Sequence, residues 1–173
     1  ASAGAVAVFV SPTRFPVADS PRQLALWAGR FAIVLPLSHL LSLAIPIPDG
    51  QAWTAMDLVV LALALGIVAA PFALGGIVTT LALTRTDAPV GRLYAADLLG
   101  AAIGCLAAVA LLDATNLSAA AFAAAAFAAL GALAFRRAAG MTLGLAVPVT
   151  LLVALAAMSV NVRSEAIRVL YPK

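Results

Sequence analysis

The chain has 173 residues, of which 65% are hydrophobic and only 10% charged, and its net charge is +3; a soluble domain carries about 25% charged residues. So little polar material cannot cover a water-facing surface, so lipid is the expected solvent. The ten Lys and Arg are scattered singly or in pairs between apolar runs, with no basic stripe and no interleaved aromatics, which excludes nucleic acid as a partner.

Ala1–Val10 is apolar but too short to span, since a crossing helix needs about 20 residues. It reads as the truncated end of a transmembrane helix. Residues 11–23 form a loop with Pro12, Pro16 and Pro21 and two arginines, Arg14 and Arg22. The first complete span is 24–45. It carries Arg30 at a depth from which a long side chain reaches the headgroups, Pro36, and the chain's one histidine, His39. Pro46–Gly50 is a turn built on two prolines and Asp49-Gly50.

The second span, 54–83, follows Trp53, an aromatic at the level where interfacial rings are enriched. Asp57 lies near its start. Pro71 lacks an N–H, which leaves the Ile67 carbonyl without its helical donor and predicts a bend. Residues 84–92 are a polar loop with Arg85, Asp87 and Arg92. The third span, 93–112, opens with Tyr94 and Asp97 and ends at the Asp113–Asn116 turn. The fourth, 117–135, is rich in alanine, with Phe122 and Phe127 for bulk and Asn116 or Ser118 as its cap. After the Arg136–Gly140 loop, the last span is 141–160, with Pro148 inside it. Residues 161–173 are a mildly polar tail. The expected fold class is all-α, a polytopic transmembrane helix bundle with five complete spans plus the truncated N-terminal one. Nothing alternates as a β-barrel strand must.

Lys and Arg mark the cytoplasmic ends of short loops. Strict alternation puts loops 11–23, 84–92 and 136–140, with their six arginines, on that side. The opposite loops, around Asp49 and Asp113, hold acids and no bases. The tail breaks the pattern: Arg163, Arg168 and Lys173 fall on the opposite side.

Ala96, Gly100, Gly104 and Ala108 recur every four residues on the third span and include a GxxxG. Such a ladder lets a neighbouring helix approach closely in lipid, so the third span is expected to be the packing centre of the bundle, with homo-oligomerisation through the same face as the alternative. Asp97 is expected near a helix N-terminus, favoured by the dipole and paired with Arg92 or Arg85. Asp97, Asp57, His39 and Arg30 are the intramembrane polar candidates for an ion, proton or amine site, although for His39 an interhelical hydrogen bond is the plainer role. Cys105 is expected as a small buried apolar side chain. No phosphate loop, HExxH, Cys cluster or Ser-His-Asp pattern is present, so no catalytic, cofactor or metal residue is assigned.

Pro71, Phe72 and Gly76, followed by Tyr94, Asp97, Gly100, Ala101 and Gly104, resemble the membrane region of bacterial spermidine-synthase-like proteins. In that family a multi-helix membrane segment of the bacterial cytoplasmic membrane is fused to a soluble aminopropyltransferase-like domain. The resemblance implies that such a domain follows Lys173, and that this chain anchors and positions it. The alternative from the residues alone is a transporter or channel-like bundle for cations or polyamines.

Overall fold

The computed structural model describes residues 2–46, 54–86, 88–142 and 144–164. Among these residues it holds six α-helices: α1 (Ser2–Val10), α2 (Ser20–Ala44), α3 (Ala55–Thr84), α4 (Val90–Ala114), α5 (Leu117–Ala138) and α6 (Ala146–Ser164). Two single turns of 3-10 helix, Pro12–Arg14 and Val17–Asp19, link α1 to α2. No strand occurs among the described residues. Five segments are long and apolar enough to cross a membrane, each of them α2 to α6, the first counted with its preceding turns as Pro12–Ala44. The nine-residue α1 is too short. Asp49, Trp53, Asp87, Arg168 and Lys173 lie outside the described residues.

The element count matches the sequence reading, and several boundaries move. α2 begins four residues before Leu24, because Pro21 occupies a first-turn position whose N–H would be unpaired in any case. α4 begins at Val90 rather than Leu93. The largest correction concerns the last span, expected from Met141. α5 runs through Arg136 and Arg137 to Ala138 and closes in a left-handed turn at Gly140, φ 64°. There the Gly140 and Met141 amides donate to the Arg137 and Arg136 carbonyls, the Schellman pattern that satisfies the last orphan acceptors. The chain turns after this point, and α6 starts at Ala146. Pro148 consequently falls in the first turn, where it costs no hydrogen bond, and not inside the span.

The centre of the bundle is α5, lying antiparallel to α2 and flanked by α6. Ala28 and Ala32 of α2 cluster with Ala129 and Ala132 of α5 and Val147 of α6. One level on, Ala125 and Ala126 cluster with Ala154, with Leu35 and Leu151 against them. Ala32, Ala125, Ala129 and Ala132 are fully buried, and α5 turns Phe127, Leu130 and Leu117 outward. Phe122 is the one large side chain that α5 keeps inside; otherwise, in lipid, this arrangement of small side chains inside and large ones outside follows from contact physics. Large apolar groups gain nothing by leaving acyl chains, whereas methyl-sized ones let backbones approach.

α3 packs on α2 and carries α1 on its other flank. At one end of the bundle Val8, Phe15, Leu24, Ile77 and Leu81 form a cluster with Trp27, Val78, Ala82 and Phe135 against it. Among the described glycines the tightest contact is at Gly4: a methyl group built there would overlap the Ala73 carbonyl oxygen and crowd the Gly76 backbone. The close helix approach expected of the α4 ladder is thus found between α1 and α3. α3 runs unbroken through Pro71. The Ile67 carbonyl that Pro71 deprives is not left bare, because Ser38 Oγ of α2 donates to it at 2.7 Å. In a medium without water this is how a membrane helix tolerates proline.

Replacing Ser38 by Ala is therefore expected to destabilise the bundle by about 1–2 kcal/mol. The Pro71→Ala variant supplies the missing N–H, so in the double variant the Ser38→Ala loss shrinks to near zero. Unfolding in mixed micelles reads both; equal losses with and without Pro71 would contradict the pairing.

Candidate functional site

Two regions hold the residues that the sequence singles out. The first is a polar layer at the end of the bundle opposite Phe15. Asn116 caps α5, its Oδ1 accepting the Ala119 amide at 2.9 Å and Asn161 Nδ2 of α6 at 2.7 Å. Asn161 is fully buried. Two residues beyond the cap, Ser118 Oγ lies 3.1 Å from His39 Nε2 of α2. The His39 ring meets Phe122 edge-on, 5.9 Å between centroids. Ser42 Oγ donates to the His39 carbonyl. α2, α5 and α6 are thus tied at one level by side chains that satisfy each other.

A serine beside a histidine is half of a nucleophile–base arrangement. Here Ser118 is 4% exposed, and among the described residues no carboxylate orients the ring. The geometry is that of an interhelical contact, the plainer of the two roles open to His39. Asn161 was missed by sequence reading. The signal was available: an amide at the end of an apolar run, with Asn116 at the turn before the preceding helix.

The second region is a pair of adjoining apolar clefts. One, of about 430 Å³, is lined by Pro71, Phe72, Gly75 and Gly76 of α3 over Phe31 and Leu35 of α2. The other, of about 770 Å³, lies between α4 and the α2–α5 face; Gly100, Ala101, Gly104 and Ala108 line it, again over Phe31 and Leu35. Phe31 also rests on Gly75, where a Cβ would stand 3.5 Å from its ring. Of the two halves of the motif read from the sequence, Pro71-Phe72-Gly76 and the last three residues of Tyr94-Asp97-Gly100-Ala101-Gly104 therefore face one shared floor, while Tyr94 and Asp97 line neither cleft. Tyr94 is exposed on α4.

Among the described residues no helix is seated on the ladder itself. Nothing lies within 4 Å of a Cβ placed on Gly100 or Gly104, and α4 has no buried residue. Ala96 and Ala108 are exposed, and so is Cys105, against the expectation that it would be buried.

The four polar candidates do not converge. Asp57 completes a capping box at the start of α3: its Oδ2 accepts the Thr54 amide at 2.8 Å, while its own amide donates to Thr54 Oγ1 at 3.3 Å. Arg30 is exposed, its guanidinium carbon 4.5 Å from the Trp27 ring centroid, a cation–π contact one turn apart. His39 faces α5. Asp97 is the eighth residue of α4, beyond the first turn in which the dipole acts, and is exposed. It forms no ion pair with Arg85 or Arg92 among the described residues. No group of three His, Cys, Asp or Glu side chains suited to a metal occurs among those residues.

Asn116→Ala removes a cap and an interhelical acceptor together, and is expected to cost about 1–2 kcal/mol of bundle stability. Asn116→Asp keeps the acceptor and should retain most of it. Unfolding in mixed micelles checks this, and an Ala variant as stable as the native chain would sink the assignment. Compared with protein-family models, with curated proteins and with solved structures, the chain matches none.

Proposed function

We propose that this chain is the membrane domain of a spermidine-synthase-like protein, holding a soluble aminopropyltransferase-like domain at the bacterial cytoplasmic membrane. The observation that carries the reading is the meeting of the motif halves. Residues separated by the α3–α4 turn line adjoining clefts over Phe31 and Leu35, as residues of one structural signature should. Pro71 has a specific role in that signature, since its freed carbonyl is answered by Ser38.

The charge distribution supports a sidedness. Arg14, Arg22, Arg85, Arg92, Arg136 and Arg137 all lie at the end of the bundle marked by Phe15, Leu81 and Phe135. Among the described residues the other end carries one base, Arg163, with Asp57 and Asp113. The six-arginine end is the cytoplasmic one by the rule for short loops. A transport reading lacks comparable support, because Arg30, His39, Asp57 and Asp97 sit on separate faces with separate surroundings.

The reading predicts that the natural gene continues beyond Lys173 into a strand–turn–helix with a glycine-rich turn, the opening of a nucleotide-binding domain. Sequencing the gene past that codon checks it. A stop codon there, or a domain of another class, would overturn the proposal.

A further inference from the structure

We propose that the trough over Phe31 and Leu35 holds an acyl chain of an anionic phospholipid whose phosphate rests on Arg85 and Arg92. The trough comes first. Its two clefts share their floor, and their walls are apolar apart from Thr79 and Thr80. The Thr80 hydroxyl is already spent on the Gly76 carbonyl at 2.7 Å. On α3 the lining runs from Pro71 to Thr80, and on α4 from Gly100 to Leu112. At about 1.5 Å per residue these stretches are roughly 13 and 18 Å long. They overlap at Phe31 and Leu35, so together they follow most of a hydrocarbon core of about 30 Å. Among the described residues no side chain fills the space against Gly100 and Gly104. A flexible chain that enters from the side fits it, and a polar solute does not.

Charge decides the head. Arg85 is the C-cap residue of α3, five residues after Thr80, and Arg92 is the third residue of α4. They flank the α3–α4 turn, about 7 Å past Thr80 along α3 and about 12 Å before Gly100 along α4, at the six-arginine end; neither lines a cleft itself. Neither guanidinium has a hydrogen-bond or ion-pair partner among the described residues. Arg136 differs, because it donates to the Thr142 carbonyl at 2.8 Å. Arg14, Arg22 and Arg137 lie at the same end, so the field there favours a net negative head over one that also carries a quaternary ammonium. Asp97 sets the depth. It lies about 7 Å below Arg92 along α4, three residues before Gly100 and on the same side of the helix. A phosphate stops above it, and the chain passes below. A free phosphate would meet the arginines but gain nothing from the trough.

The test is native mass spectrometry of the full chain in mild detergent. It is offered phosphatidylglycerol or phosphatidylcholine with identical acyl chains, with inorganic phosphate as competitor. The native chain should retain phosphatidylglycerol preferentially. Each of Arg85→Gln and Arg92→Gln should lower that retention about 5-fold, the change that corresponds to about 1 kcal/mol per arginine. The Arg137→Gln control should change it less. Asp97→Asn should raise retention. Gly104→Phe, or Ala108→Leu if the first misfolds by circular dichroism, fills the trough and should lower retention of both lipids. Equal retention of the two lipids by the native chain would overturn the proposal. So would displacement of the lipid by inorganic phosphate, or retention indifferent to a filled trough, which would mean attraction to surface charge alone.

Discussion

Everything in this bundle depends on the close approach of α2 and α5. In water, helices are driven together by burying leucine and phenylalanine; in lipid that drive is absent, because acyl chains are as apolar as the side chains. What remains is dispersion between well-fitted backbones and the hydrogen bonds that no solvent can replace. The α2–α5 seam supplies both. Alanines at Ala28, Ala32, Ala129 and Ala132 bring the helices together, and the seam ends at His39 and Ser118, whose side chains meet across it. α6 joins through Val147, Ala154 and Asn161, and α3 through Ser38 and the carbonyl above Pro71.

The same constraint explains where polarity is allowed. Most hydroxyls on the spans are occupied by a nearby carbonyl, as with Thr80 on Gly76 and Thr150 on Ala146, or answer a neighbouring helix, as Ser38 does; Thr79 and Tyr94 make no hydrogen bond among the described residues. Asp57 and Asn116 are used at helix starts, where backbone donors have no helical partner. Arg30 reaches outward along Trp27. The exception is Gln23, whose Oε1 is buried without a partner among the described residues.

Much of this was legible in the chain itself. Element number followed from run length. The role of Pro71 followed from covalent chemistry, and only the identity of its partner, Ser38, required three dimensions. The cap at Asn116 was readable too. Two things were not. The α5–α6 boundary depends on a Schellman turn at Gly140 that uses up residues an apolar count assigns to α6. The packing centre was misplaced because α4 and α5 share one pattern, small residues on one side and large on the rest. GxxxG is easier to see than a run such as Ala119–Ala129, where nearly every position is small. Spacing identifies a face able to pack closely; it does not say whether the partner helix belongs to the same chain. For α5 it does. For α4, Gly100 and Gly104 look over an open trough.

In this arrangement α2 and α5 form a closed seam, while α4 meets lipid on its ladder face as well as its outer one. Footprinting with a lipid-phase carbene reagent, read residue by residue in bilayers, tests it most directly. The account predicts protection of Ala28, Ala32, Ala129 and Ala132, with labelling around the whole of α4, including the stretch from Gly100 to Ala108. Protection of that stretch equal to that of the α5 alanines would contradict it.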